Sequence, residues 1–371
     1  MKIGIDIRTA IGKKAGIGAY TEYLVLGLSE IDRNNKYVLY TSKPVEWELG
    51  DNFEQIIWDD STFWGKLTWQ LRLWLEVTIL GKVDVFLSTN SVILALLSVP
   101  RRNVVLTIHD MVPFLMRETT QSRVRFWFMY LPLAAKFAKA IIVPSEATRD
   151  DVIKHLGISR DKIFLTWEGA IIPKGKFKKG DIEKVKKKFG IQGEYFLFIS
   201  TLEPRKNIPN LIRAFSKFSK DYKKDIKLVI GGKKGWLYDE IFQVVQEENV
   251  ENKVIFTDYV PDEDMEALHK GAIAYVNIPL MEGFGLSQLV AMTWEVPVLT
   301  SNMSSIPEVV GDAAITVDPN DISLIAKKML ELAEDEELRA GLKERGLKQA
   351  SKFSWQKTAK LTLNVLEKEC S

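Results

Sequence analysis

The sequence predicts an α/β protein made of two Rossmann-like, doubly wound domains. Three observations predict it. Short β-branched runs alternate with helix-spaced segments along the chain, the pattern of parallel sheets wound by helices. The length, 371 residues, exceeds one ordinary core and suits two. A basic, glycine-bearing stretch at 173–187, PKGKFKKGDIEKVKK, interrupts the alternation near the middle and reads as a linker.

In the first half, KIGIDI, YVLYTS, VDVFLS, NVVLTIHD and AIIVPS read as strands, each closed by a polar or glycine-bearing turn. AYTEYLVLGLSEI carries apolar residues at helical spacing, and SEATRDDVIKHLG reads as a helix capped by Ser145 and closed at Gly157. After the linker the alternation restarts with YFLFIST, IKLVIGG, KVIFTDY, AIAYVNI, VPVLTS and AAITV. From Asp321 the chain is helical and charged, and FSWQKTAKLTLNVLEKE reads as one amphipathic helix. The first domain is therefore expected at 1–172 and the second at 188–354. Such domains present ligand sites at the carboxyl ends of their strands, and two in series are expected to bind between them.

Composition narrows the function classes. A net charge of +2 argues against an extended polyanion surface, so nucleic acid is not an expected partner. The single cysteine, Cys370, permits no internal disulfide framework and fits a reducing, cytoplasmic setting. MKIGIDIRTA reads as a strand rather than a leader, and no apolar run reaches the roughly 18 residues that span a bilayer. The only histidines, His109, His155 and His269, are scattered, so no transition-metal site is expected. Asp262-x-Asp264 has the form of a metal motif, but it follows Pro261 and opens a helix, where first-turn negative charge explains it.

Several segments carry candidate chemistry. FLFISTLEPRKNIPNLIRAF runs from a strand through a turn into a helix, with Arg205 and Lys206 in the turn. Two cations beside a helix N-terminus suit a diphosphate; a solvated basic turn is the plainer alternative. VIGGKKGW places Gly231, Gly232 and Lys233 after a strand, and KKAGIGAYTEYL places Gly16 and Gly18 before a helix; both are weak phosphate-loop signals. LTIHDMVPF puts His109 and Asp110 at a strand end, where an open sheet shows its functional groups. A structural histidine is the alternative there. In PLMEGFGLSQLVAM an acid, Glu282, precedes two glycines and a buried helix.

Taken together and in order, AGIGAYTEYL, TIHDMVPF, VPSEATRDDV, STLEPRKNIPNLIRAF, MEGFGLSQLVAM and SSIPEVVGDAAITVDPND resemble the retaining GT-B glycosyltransferases of the family-4 type, the glycosyl transferases group 1. The resemblance covers nearly the whole chain. It implies two domains facing a cleft, with the last helix, about 355–371, packing back on the first. It implies a nucleotide-diphosphate sugar on the second domain, with Arg205 and Lys206 clamping the diphosphate and stabilising it as it leaves. Glu282 would accept hydrogen bonds from sugar hydroxyls. The backbone of Gly283, Phe284, Gly285 and Leu286 would lie along the sugar and phosphates. Gly231, Lys233 and Val260 would line the donor site, His109 would touch the transferring sugar, and Gly16 and Gly18 would allow close approach of phosphate or acceptor. The resemblance further implies front-face retention without a required metal, no cofactor beyond a UDP-, GDP- or ADP-linked donor, and bacterial or archaeal cell-surface polysaccharide assembly as the setting.

The sequence departs from the family pattern inside its strongest motif. Val290 stands where a second glutamate usually accepts the ribose hydroxyls, a contact worth roughly 1.5–3 kcal/mol. Ser287 replaces a usual proline, and Glu295, beside Trp294, replaces a frequent helix-ending glycine. Two readings remain: an enzyme lacking one ribose contact, or a non-catalytic subunit that binds a nucleotide sugar or a protein partner. The acceptor is expected to be a glycan or a lipid-linked one; the oligomeric state is not legible. WDDSTFWGKLTWQLRLWLEV, with Trp58, Trp64, Lys66, Trp69, Arg72 and Trp74, and SRVRFWFMYLPL, with Arg123, Arg125, Phe126, Trp127 and Phe128, admit a peripheral contact at the inner face of the plasma membrane. Core helices with a sugar-stacking surface are the alternative.

Overall fold

A computed structural model describes residues 1–12, 16–90, 95, 103–120, 125, 128–170, 177–178 and 180–370. They form two compact units, the first of Met1–Gly169 with Phe353–Ser371, the second of Ala170–Lys352.

The first unit holds seven parallel strands: β1 (Lys2–Asp6), β2 (Lys36–Thr41), β3 (Phe53–Ile57), β4 (Val85–Ser88), β5 (Val104–Thr107), β6 (Ala140–Val143) and β7 (Ile163–Leu165). Their spatial order is β3-β2-β1-β4-β5-β6-β7, so the winding direction reverses between β1 and β4. The inner strands are buried on both faces, which is why they read as unbroken apolar runs. On one face Phe86, Leu106 and Ile141 pack against Trp69, Leu73 and Val77 of the Phe63–Ile79 helical segment and Ala134 of the Leu131–Phe137 helix. Against the opposite face lies the Trp355–Cys370 helix, paired with the Gly16–Ile31 helix. A Cβ at Gly27 would stand 2.9 Å from the Trp355 carbonyl oxygen and 3.1 Å from Ala359 Cβ, so glycine sets this helix–helix approach. Asn35 Nδ2 donates to Glu367 (3.1 Å) and Gln356 Nε2 to Glu30 (2.8 Å), tying the last helix to the first unit.

The second unit repeats the plan with six parallel strands: β8 (Glu194–Ile199), β9 (Ile226–Gly231), β10 (Val254–Asp258), β11 (Ala274–Asn277), β12 (Val298–Ser301) and β13 (Ile315–Val317). Their order, β10-β9-β8-β11-β12-β13, reverses between β8 and β11. Phe196, Phe198 and Leu228 of the sheet pack with Phe215 and Phe218 of the Ile208–Asp221 helix and with Met329 of the Ile322–Glu334 helix. Of the 173–187 stretch read as a linker, 173–176 and 179 lie outside the described residues; its end folds as the Asp181–Lys188 helix of the second unit.

Candidate functional site

In an open parallel sheet, the crevice where the winding reverses is the place a ligand can enter between loops that diverge to either side. In the second unit that point lies between the ends of β8 and β11. Beyond β8 the chain forms a 3₁₀ turn, Pro204–Lys206, followed by Asn207 in the left-handed region at φ 58°. The buried Asn207 amide donates to the Pro319 carbonyl at 2.7 Å, which anchors the start of the Ile208–Asp221 helix. Beyond β11 the chain runs to Glu282, and the Leu280 N–H donates to the Arg205 carbonyl at 2.8 Å. Both segments are thus held side by side.

Their side chains form one ion cluster. Arg205 Nη1 donates to Glu282 Oε2 at 2.5 Å and to the Met281 carbonyl at 3.2 Å, while its Nε sits 2.6 Å from Glu203 Oε1. Lys206 Nζ bonds the other Glu282 oxygen. Glu203, Lys206 and Glu282 are all buried. Burial alone would push the Glu282 carboxyl up, but the Arg205 and Lys206 charges outweigh it and hold the acid down at about 2. Burial, then the Arg205 charge, pull the Lys206 ammonium down, while burial pushes Glu203 up against the pull of both cations. Two cations and two carboxylates therefore face one another in a largely buried cluster.

Backbone and small residues complete the surroundings. The Glu282 carbonyl accepts from Ser304 Oγ (2.7 Å) and Ser305 Oγ (2.9 Å), which pins the Glu282–Phe284 backbone. Gly285 has φ 116°, a conformation open to glycine, and leads into the Leu286–Thr293 helix. Val290, one turn into that helix, is half-buried and offers no acceptor. Gly231 and Lys233 reach the same crevice, because the Leu202 N–H donates to the Lys233 carbonyl at 2.9 Å directly before Glu203. A Cβ at Gly231 would stand 3.0 Å from Val260 Cγ2, and Lys233 Nζ lies 5.0 Å from the Tyr259 ring. The second unit therefore sets Arg205 and Lys206 beyond β8 and Glu282, Gly283, Phe284, Gly285 and Leu286 beyond β11, on the two sides of the strand reversal, while Gly231, Lys233 and Val260 lie beside them at the ends of β9 and β10.

Other expected residues fall in the first unit. His109 follows β5, with Nε2 2.9 Å from the Thr89 carbonyl and Nδ1 3.5 Å from Glu168 Oε1. Its ring meets Tyr20 edge to face at 4.6 Å. Gly16 opens the helix after β1 with no atom of the described residues, its chain neighbours and own helix backbone apart, within 4 Å of where a Cβ would stand, and Gly18 is buried in that helix. His269 is buried between the rings of Tyr275 and Trp294, and Asp264 in the first helical turn bonds Lys188 at 2.5 Å. Trp69 is fully buried, and Trp58 and Trp74 pack partly buried on the same core. The side chains of Trp64, Lys66, Arg123, Phe126 and Trp127 lie outside the described residues.

Two acids escaped the sequence reading. Glu203 stands two residues before Arg205 in the same turn, a spacing that signals an intra-turn pair. Glu168 follows β7, a three-residue edge strand with too short an apolar run to mark its own end.

Residues 16–169 match the family described as Glycosyltransferase Family 4, and 181–349 the family Glycosyl transferases group 1. The chain is 34% identical to the O-antigen chain mannosyltransferase B of Escherichia coli over 70% of its own length and 69% of that protein's. It is 30% identical to the serotype-specific mannosyltransferase WbdA of Escherichia coli, over 72% of this chain but about a third (34%) of that longer one. The fold is shared with Anabaena HepE solved with UDP and glucose (TM-score 0.77, 18% identity, 99% of this chain and 100% of that one). It is also shared with WaaG, a glycosyltransferase involved in lipopolysaccharide biosynthesis (TM-score 0.73, 15% identity, 98% and 99%). With both halves matched in order and the GT-B architecture in place, the chain belongs to the group 1, family-4 type glycosyltransferases.

Proposed function

We propose that this glycosyltransferase is a retaining, metal-independent hexosyltransferase. It moves a sugar from a nucleoside diphosphate to a glycan or lipid-linked acceptor, in cell-surface polysaccharide assembly at the cytoplasmic face of the membrane. Its similarity to two mannosyltransferases favours mannose as the sugar. The single observation that carries the reading is the Arg205–Lys206 pair, both cations bonded to the buried Glu282 at the strand reversal of the second unit.

The chemistry follows from charge. As the glycosidic C–O bond breaks, negative charge grows on the leaving diphosphate, and Arg205 and Lys206 are fixed donors for it, doing what a metal ion would otherwise do. Retention then proceeds by departure and attack on one face of the sugar, with the departing phosphate taking the acceptor's proton. Without donor, Glu282 serves as the cations' anion. An arriving diphosphate takes over that role and releases the Glu282 oxygens to accept from sugar hydroxyls. Because Val290 supplies no acceptor to the ribose, the diphosphate and sugar contacts carry a larger share of donor affinity.

A peripheral membrane contact is favoured by one specific feature. Leu71, Leu75, Ile79 and Leu80 are 42–55% exposed along the outer side of the Phe63–Ile79 segment, whose inner side holds Trp69, Leu73 and Val77. Among the described residues no helix is long and apolar enough to cross a membrane. Replacing Leu71 and Leu75 by serine is expected to abolish sedimentation with anionic vesicles; unchanged sedimentation removes this contact.

The test of the donor site is a thermal-shift panel of UDP, GDP and ADP in EDTA, on the native protein and on Val290→Glu. One diphosphate is expected to raise the native melting temperature. No response from either protein overturns the donor-site assignment, and a response from Val290→Glu alone makes the non-catalytic subunit the better reading.

A further inference from the structure

The ends of three strands of the first unit meet at His109. The residue lies two positions beyond β5; Thr89 directly follows β4, and Glu168 comes three positions after β7. The ring is fixed on both sides: Nε2 is 2.9 Å from the Thr89 carbonyl oxygen, and Nδ1 is 3.5 Å from Glu168 Oε1. Side-chain exposure is 15% for the histidine and 5% for the glutamate, so water does little to screen the pair.

Both partners are acceptors. A carbonyl oxygen has no proton to give, so Nε2 must carry one and donate it. In the neutral ring Nδ1 would then point a lone pair at a carboxylate oxygen in a buried site. That arrangement is repulsive, and one further proton removes the repulsion. Imidazole has the higher ordinary pKa of the two groups, about 6.5 against about 4.3, so the proton belongs on Nδ1. We propose that Glu168 is a positioning residue that keeps His109 doubly protonated and fixed in orientation at the functional end of β5.

The surroundings agree among the described residues. Burial by itself would pull His109 down, but Glu168, by hydrogen bond and charge, together with the Thr89 carbonyl and the Asp110 carboxylate, raises it above its ordinary value. From the Gly16–Ile31 helix the ring faces Tyr20, whose phenol is pushed up by burial and then by Glu168, and so stays neutral. Tyr20 in turn rests edge-on against Trp355 of the last helix, which brings no charge. The charges acting on the ring are thus Glu168 and Asp110, both negative.

A histidine held as a cation differs functionally from a neutral one. It cannot serve as a general base, because its second nitrogen is already protonated. It offers a fixed positive field and, through its backbone, a rigid edge at the strand end. If the function proposed above is right and His109 takes part in it, activity falls when His109 loses its proton. Only the kinetic arm of the test rests on that reading.

The primary test is the NMR titration of the imidazole C–H resonances, which is tractable with three histidines in the chain. In the native protein the His109 midpoint is expected above about 6.5, the ordinary histidine value. In Glu168→Gln it should fall by about one pH unit or more, the effect of removing an opposite charge at contact distance. Glu168→Asp, which keeps the charge, should restore most of the shift. A native midpoint at or below about 6.5 overturns the proposal without any variant, and so does a midpoint that Glu168→Gln leaves unmoved. The second test is the pH profile of sugar transfer. Its alkaline limb should move to lower pH in Glu168→Gln; a uniform loss of rate with the limb in place assigns Glu168 a purely structural role. If no transfer is detected at all, the titration still decides the proposal while the function reading fails separately.

Discussion

Glu282 sits at the balance point of the candidate site, with one oxygen on Arg205 and the other on Lys206. Removing its charge leaves the buried Lys206 and the half-buried Arg205 side by side without the acid that bonds them both. Breaking a buried pair in this way costs about 3–5 kcal/mol, so Glu282→Gln should lower the denaturant midpoint of the second unit markedly. Retention of the native midpoint would mean the cations are solvated after all. The pH dependence has a definite sign. The acid is held below its unfolded value, so the stability it contributes is present above the ordinary glutamate range and is lost as pH falls through about 2. Much of this site was legible: a strand, a turn with two cations, and an acid before glycines each imply charge recognition. The mutual grip of Arg205, Lys206 and Glu282 was not, because contacts between residues 76 or 77 positions apart leave no local trace.

At the scale of elements, the inner strands were readable and the two edges of the first sheet were not. β3 has only half-buried and exposed residues, and β7 has three residues, so neither shows the apolar run of a strand covered on both faces. Helix ends were partly legible. Ser145 accepts from the Thr148 N–H and Gly157 adopts φ 66°, as their residue types imply. Glu295 is the exception. It ends the Leu286–Thr293 helix in the left-handed region at φ 58°, with its N–H on the Met292 carbonyl (3.0 Å) and the Val296 N–H on Ala291 (3.0 Å), an arrangement that usually employs glycine. The residue is exposed, and Glu295→Gly should raise stability by about 0.5–1 kcal/mol, read as a higher urea midpoint. A lower midpoint would show that the side chain makes a compensating contact. At the other extreme, Gly27→Ala puts a methyl against the Trp355 carbonyl and Ala359, and should cost about 1–3 kcal/mol. A neutral result there would mean the two helices separate without penalty.

Across the whole molecule, each unit has its own core and carries one histidine largely shielded from water, and the two behave oppositely. His269, stacked on Tyr275 and bonded through Nδ1 to the Met265 carbonyl at 2.7 Å, is pulled down to about 4 by burial. It stays neutral in the folded state while the unfolded chain takes up protons below about 6.5, so the second unit loses stability as pH falls from there toward about 4. His109 is raised, so its contribution is present below about 6.5 and is lost as pH rises through its folded value. Calorimetry between about pH 5 and pH 7 should therefore show the second unit's transition falling on acidification, and His269→Gln should flatten that slope. A slope unchanged in the variant would assign the acid sensitivity elsewhere. The fold class at this scale was open to reading because two runs of strand–helix alternation leave few alternatives. The polarity of single buried histidines was not, since it depends on partners from other strands and helices.

The proposed donor site is one in which Arg205 and Lys206 hold a diphosphate without metal. Isothermal titration of UDP, GDP and ADP in EDTA into the native protein and Lys206→Met tests it most directly. One nucleotide should bind the native protein, with affinity weakened about tenfold to a hundredfold in the variant, as loss of one charged hydrogen-bond donor implies. Equal affinity in the two proteins would show that Lys206 holds no diphosphate.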